Sequence, residues 1–256
     1  MLPRAALVLA AALALAAPAA AGIFMKQLPA KSGWTPLAPE AGLVGSVRHV
    51  RAGETFLTQP LVPLAAARAD VDIAWRGMNI AAGTELFGAE LVEDGRKLYC
   101  HDRTHPNGNV LGRNYYCLDD ENGDGRFDGR FGTFLTSFGG PKTSIPAIEM
   151  VYRGREPIPP VPYTLIRYDS ANATRAIGLR LDSFDPRKRR ATFLVVVGRK
   201  GELAPAPQRF RLGLAELPAR TDILGAEIEV VAVGGDGVDL RVVKPLPPRL
   251  FAMRVR

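Results

Sequence analysis

Short runs of alternating apolar and polar residues dominate the chain, and their period of two is the period of strands. Residues 47–50, 71–75, 85–91 and 148–152 form such runs, each bounded by Gly, Asn or Pro. Further runs cover 163–168, 177–181, 191–197, 209–212, 228–233 and 238–243. Gly234, Gly235, Asp236 and Gly237 separate the last two and predict a hairpin turn. Residues 97–101 and 114–118 are aromatic-rich strand candidates, with Pro106, Asn107, Gly108 and Gly112 as turn formers between them. The helix candidate of note is 64–69, whose start is crowded by Pro60 and Pro63. Many short strands with regular turn signals predict an all-β fold, sandwich or barrel-like, with little helix.

Four prolines at 157, 159, 160 and 162 break this rhythm. Proline cannot donate to a ladder, so residues 154–162 are expected to form an extended linker. The balance of charge also shifts there. Residues 22–153 carry 14 basic and 15 acidic side chains, whereas 163–256 carry 17 basic and 10 acidic ones. The expected organisation is an export signal over 1–21, an N-terminal β domain over 22–153, the linker, and a basic C-terminal β domain over 163–256.

Composition adds few constraints. Hydrophobic residues make up 47% and charged residues 23% of the 256, which excludes a disordered, collagen-like or coiled-coil chain. The net charge is +7. The first 21 residues are more informative. Arg4 precedes an apolar run over 5–17, and Ala19, Ala20 and Ala21 before Gly22 match a cleavage site for an exported protein. The run is short for a membrane anchor, which needs about 20 apolar residues. No span is expected after cleavage, and the aromatic content of 7% is low for an outer-membrane barrel. The expected location is periplasmic or secreted.

Cys100 and Cys117 are the only cysteines. In an oxidising compartment such a pair predicts a disulfide across the 97–101 and 114–118 strands. In the chain-entropy model a loop of this length adds about 3 kcal/mol of stability. A zinc site from Cys100, Cys117, His101 and His105 would need reduced thiols and lacks a CxxC pair.

Oxygen-bearing residues then fall at alternate positions in the stretch after Cys117: Asp120, Asn122 and Asp124, followed by Gly125, the Arg126 carbonyl and Asp128. This spacing resembles the opening of the EF-hand calcium loop, D-x-[DN]-x-[DN]-G, over about nine residues. Position 12 is Phe131 instead of a bidentate Glu, and the flanks are not helical, so the closer resemblance is to the helix-free calcium loops of exported β-proteins. The resemblance implies a weak Ca²⁺ site, with Kd on the order of 10⁻⁴–10⁻³ M. The carboxylates of 119–128 face Arg126 alone in sequence, so the empty loop is expected to repel itself. The competing reading is a solvated Asn-Asp-Gly turn whose charges only keep a hairpin soluble.

Signals for catalysis are weak. His101, Asp102 and His105 offer a metal-assisted hydrolytic alternative, but no HExxH or GxSxG motif is present. Arg187, Lys188, Arg189 and Arg190 form the main basic run and read as a hairpin tip: a solvated loop of an Arg-biased chain or, with the rest of the basic C-terminal half, a surface for an anionic envelope component. No aromatic platform is interleaved with them, so nucleic acid is not an expected partner. The expectation is an exported, non-enzymatic binding or structural protein of the cell envelope, steadied by calcium and one disulfide.

Overall fold

The computed structural model describes residues 27, 28, 30–75, 78–91, 93–100, 114–136 and 149–249. Their elements are all strands, so the protein is all-β. In chain order, the first are β1 (Gln27–Leu28), β2 (Ala30–Ser32), β3 (Trp34–Pro36), β4 (Val47–Arg51) and β5 (Thr55–Pro63). Then come β6 (Ala66–Ala69), β7 (Ile73–Trp75), β8 (Met78–Ile80), β9 (Glu85–Leu91), β10 (Lys97–Cys100) and β11 (Asn114–Asp119). The chain continues through β12 (Arg126–Thr136), β13 (Glu149–Leu165), β14 (Arg175–Asp185) and β15 (Arg190–Arg199). It ends in β16 (Glu202–Gly213), β17 (Ala219–Ile223), β18 (Ala226–Val233) and β19 (Gly237–Lys244).

Strand pairing produces two structures. The first is a closed antiparallel barrel of six strands, β6-β9-β10-β11-β12-β13, because β6 bonds to both β9 and β13. Ala67, Leu86, Tyr99, Leu118, Phe127 and Val161 belong to its apolar cluster. The second is a sandwich. Its five-stranded sheet runs β16-β15-β14-β5-β3 and its four-stranded sheet β17-β18-β19-β4, and both contribute to one core containing Leu57, Leu179, Phe193, Ile228 and Leu240. Trp34 of β3 and Phe87 of β9 join the two, with ring centroids 4.9 Å apart and the Arg175 guanidinium 5.0 Å from the Trp34 ring. Cation–π attraction and apolar contact therefore act at one seam.

Two expectations are corrected. The 64–69 segment is not helical; its residues 66–69 form β6 and close the barrel. Ala66, Ala67 and Ala69 are buried, and the pairing of β6 with two neighbours outweighs the helix preference of alanine. Where the chain enters β6 it passes close to β9, and a Cβ at Gly88 would collide with Ala65. Likewise, 154–162 is no linker but the middle of β13, paired with β12. Pro157 lies opposite Gly129 and Val161 opposite Phe127. Three residues, 158–160, thus face the single residue Asp128, and Pro159 and Pro160 sit in this bulge, where no ladder donor is required. Strands from both sides of this segment share sheets: β5 pairs with β14, and β4 with β19.

A buried polar clamp secures the sandwich edge. Gln59 Nε2 donates to the carbonyls of Leu37 (2.7 Å) and Leu246 (3.1 Å), while its Oε1 accepts from the Leu246 N–H (2.8 Å). Every polar atom of the amide group is used, as burial demands.

Candidate functional site

Cys100 and Cys117 lie directly opposite on β10 and β11 and form a disulfide, with Cα atoms 3.9 Å apart. Their sulfurs are bonded to each other, so they are not free for the zinc alternative. His101, Asp102 and His105 lie outside the described residues, as does the 1–21 segment.

The acidic loop joins β11 to β12. It curls around one carboxylate. Asp120 Oδ1 accepts the N–H groups of Gly123 (2.7 Å) and Asp124 (3.1 Å), and Oδ2 accepts those of Gly125 (2.9 Å) and the Tyr163 hydroxyl (3.0 Å). Gly123 and Gly125 have φ of +73° and +82°, left-handed values that let the chain fold back so tightly. Asn122 Oδ1 accepts from the Asp124 N–H (3.0 Å), and its Nδ2 donates to Asp124 Oδ2 (3.1 Å). Asp124 Oδ1 accepts from the Arg126 N–H at 2.9 Å. These local bonds are the Asx-type turns expected of such residues.

The sequence alone suggested an uncompensated acidic loop, but the fold brings in two more guanidinium groups. Arg96, from the β9–β10 turn, places Nη1 2.9 Å from Asp119 Oδ2 and 3.5 Å from Glu121 Oε1. Arg155, on β13, sets Nε 3.1 Å from both Asp119 oxygens, Nη1 3.3 Å from Glu121, and Nη2 against Asp128. Gly129 permits this crossing, since a Cβ there would overlap Asp119 and Arg155. Asp119 is fully buried. Burial pushes its carboxyl above the usual carboxylate range, against the pull of Arg155 and Arg96.

The sequence-predicted ligands therefore divide. Asp120, Asn122 and Asp124 share the curl, whereas Asp128 turns to Arg155 and to the Glu121 N–H (3.2 Å). Among the described residues, no group of three or more His, Cys, Asp or Glu side chains is gathered as a metal site. Arg96, Arg155 and Tyr163 were missed from sequence. Their distance along the chain hid them: the pairing of β10 with β11 brings Arg96 to the loop, and that of β12 with β13 brings Arg155 and Tyr163.

Beneath the loop lies an aromatic plug. Phe127 and Tyr163 stack at 4.1 Å with planes 10° apart, and Tyr99 lies 5.5 Å from each. The Tyr163 hydroxyl bonds Asp120, so plug and loop are mechanically joined. Burial and this hydrogen bond push the Tyr163 phenol far above its ordinary value, and it stays a donor.

A second polar cluster sits on the sandwich. His49 of β4 has Nδ1 2.7 Å from Asp239 and Nε2 3.0 Å from Asp236, and Arg51 Nε lies 2.7 Å from Asp236. Hydrogen bonds to Asp239 and then Asp236 raise the imidazole pKa above its usual value. A neutral ring could donate to only one of the two carboxylates. The cluster ties β4 to the Gly234–Gly237 turn.

No protein-family model, curated protein or solved structure matches the chain.

Proposed function

We propose that the protein is an exported, non-enzymatic binding or structural component of the cell envelope, whose barrel is steadied by the Cys100–Cys117 bond and by calcium at the 120–128 loop. The observation that carries the calcium reading is the curl of residues 120–125 around Asp120, at an exposed loop where Asp124 and Asp128 stand beside it. Asp120, Asn122, Asp124, the Arg126 carbonyl and Asp128 would be the ligands, with Asp128 leaving Arg155 to join them. Export rests on the n-region, apolar run and Ala-x-Ala site of the first 21 residues. The basic C-terminal half would meet an anionic envelope component.

Thermal melts of the purified protein test the calcium part. At calcium ten times Kd, binding is expected to add about 1.4 kcal/mol, a shift of about 3–6 °C that Asp120→Asn abolishes. An unmoved Tm at about 10 mM calcium, ten times the weakest expected Kd, sinks that part. Cell fractionation tests export: a mature chain beginning at Gly22 outside the cytoplasm is expected, and a full-length cytoplasmic chain overturns it.

A further inference from the structure

Pro186, Arg187, Lys188 and Arg189 form the turn between β14 and β15, and all four are exposed. The turn has a fixed backbone. Asp185 Oδ1 accepts the Lys188 N–H at 3.1 Å, and the Arg189 carbonyl accepts the Leu214 N–H at 2.7 Å, tying the tip to the end of β16. Arg189 has φ of +45°, a left-handed conformation that a residue with a Cβ adopts at a cost. A charged side chain therefore occupies a position where Gly or Asn would be unstrained.

The cations extend beyond the turn. On β15 and β16, Arg190 pairs with Gly213 and Thr192 with Arg211, which puts Arg190 and Arg211 on the same face as diagonal neighbours. Among the described residues, the guanidinium groups of Arg187, Arg189, Arg190 and Arg211 make no hydrogen bond or ion pair. The nearby acids are Asp185, 3.8 Å from Lys188, and Asp182, 3.6 Å from Arg209. Such a concentration of one sign destabilises an isolated surface through self-repulsion, and that repulsion is relieved when anions approach.

Resting on the reading that the basic half meets an anionic component, we infer that this hairpin tip docks on a membrane surface rich in phosphate-bearing lipid headgroups. The shape favours lipid over a flexible polyanion. A tip is convex, so it presents its cations to a plane; a strand-like polymer is held better by a groove with stacking platforms, which the tip lacks. Guanidinium groups match phosphate in a bidentate fashion. No large apolar side chain is exposed at the tip for insertion, so attachment is electrostatic and reversible by salt.

Co-sedimentation of the full chain with vesicles provides the test. Binding is expected on phosphatidylcholine vesicles containing about one-third phosphatidylglycerol, not on phosphatidylcholine alone, and to vanish near 1 M salt, where the screening length falls to about 3 Å. Arg187→Ser with Arg190→Ser should weaken it about 25-fold, at roughly fivefold per cation. Arg199→Ser with Lys200→Ser, at the opposite end of β15, should leave it nearly unchanged. An unchanged melting curve for each variant separates lost binding from lost folding. Equal binding to neutral vesicles overturns the proposal. So does loss only in the Arg199/Lys200 variant, which would leave the broader basic-half reading standing. Binding to soluble polyphosphate but not to anionic vesicles also defeats the lipid assignment while sparing that reading. Binding to neither removes both.

Discussion

Barrel and sandwich each hold a buried acid between two arginines, but they treat it in opposite ways. In the sandwich, Glu229 on β18 faces Arg220 and Arg241 in register on the adjacent strands, with Arg220 Nε 2.8 Å away. The hydrogen bonds from Arg220 and Arg241 hold its carboxyl below the usual range. In the barrel, Arg96 and Arg155 reach Asp119 from a turn and from β13, and burial still pushes that carboxyl up. An in-register ladder keeps a carboxylate ionised. At the barrel end, several acids compete for the same two guanidinium groups, so negative charge is crowded and another cation is worth more.

The largest expected effects come from the two cores. Phe193→Ala in the sandwich and Phe127→Ala in the barrel should each cost about 3–5 kcal/mol, since both rings are fully buried. Hydrogen exchange should place the first loss on β14, β15 and β18, and the second on β11–β13. Uniform loss after either change would mean that the two regions open as one unit. Reducing Cys100–Cys117 comes next, at about 3 kcal/mol in the chain-entropy model, and is expected mainly at β10 and β11 amides. Equal deprotection of β18 and β19 would again erase the distinction.

Smaller still are the effects of acid. The depressed Glu229 carboxyl contributes stability that is present above its ordinary titration range and lost as pH falls through its lowered folded value. Asp119 has the opposite sign. Its raised folded value means that stability falls as pH rises from the ordinary carboxylate range through that value, so mild acid favours it. Glu229→Gln should therefore cost more than Asp119→Asn at neutral pH, and the gap should close on acidification, as read from denaturant midpoints. The reverse order would show that Arg96 and Arg155 overcome burial after all.

Much of the all-β pattern could be read in the sequence where one face of a strand meets a core, as over 85–91 and 191–197. The cysteine pairing and the Gly234–Gly237 turn were also legible, because turn chemistry and register are local. What stayed hidden depends on distant partners. Ala66–Ala69 reads as helix until β9 and β13 flank it, and the 157–162 prolines read as a spacer until a bulge accommodates them. The same limit applied to the site. Asp120, Asn122 and Asp124 announce themselves by spacing, whereas Arg96, Arg155 and Tyr163 are unremarkable in sequence and acquire their role only when β10 pairs with β11 and β12 with β13.

The sharing of sheets across the chain also bears on biogenesis. β4 and β5 leave the ribosome early, yet their partners β19 and β14 emerge more than a hundred residues later. Until then Phe56, Leu57 and Leu61, all buried in the finished sandwich, have nothing to cover them. The early chain is thus a natural client for a holding chaperone. Slow, late closure of the sandwich, rather than of the barrel, is where its folding should be vulnerable.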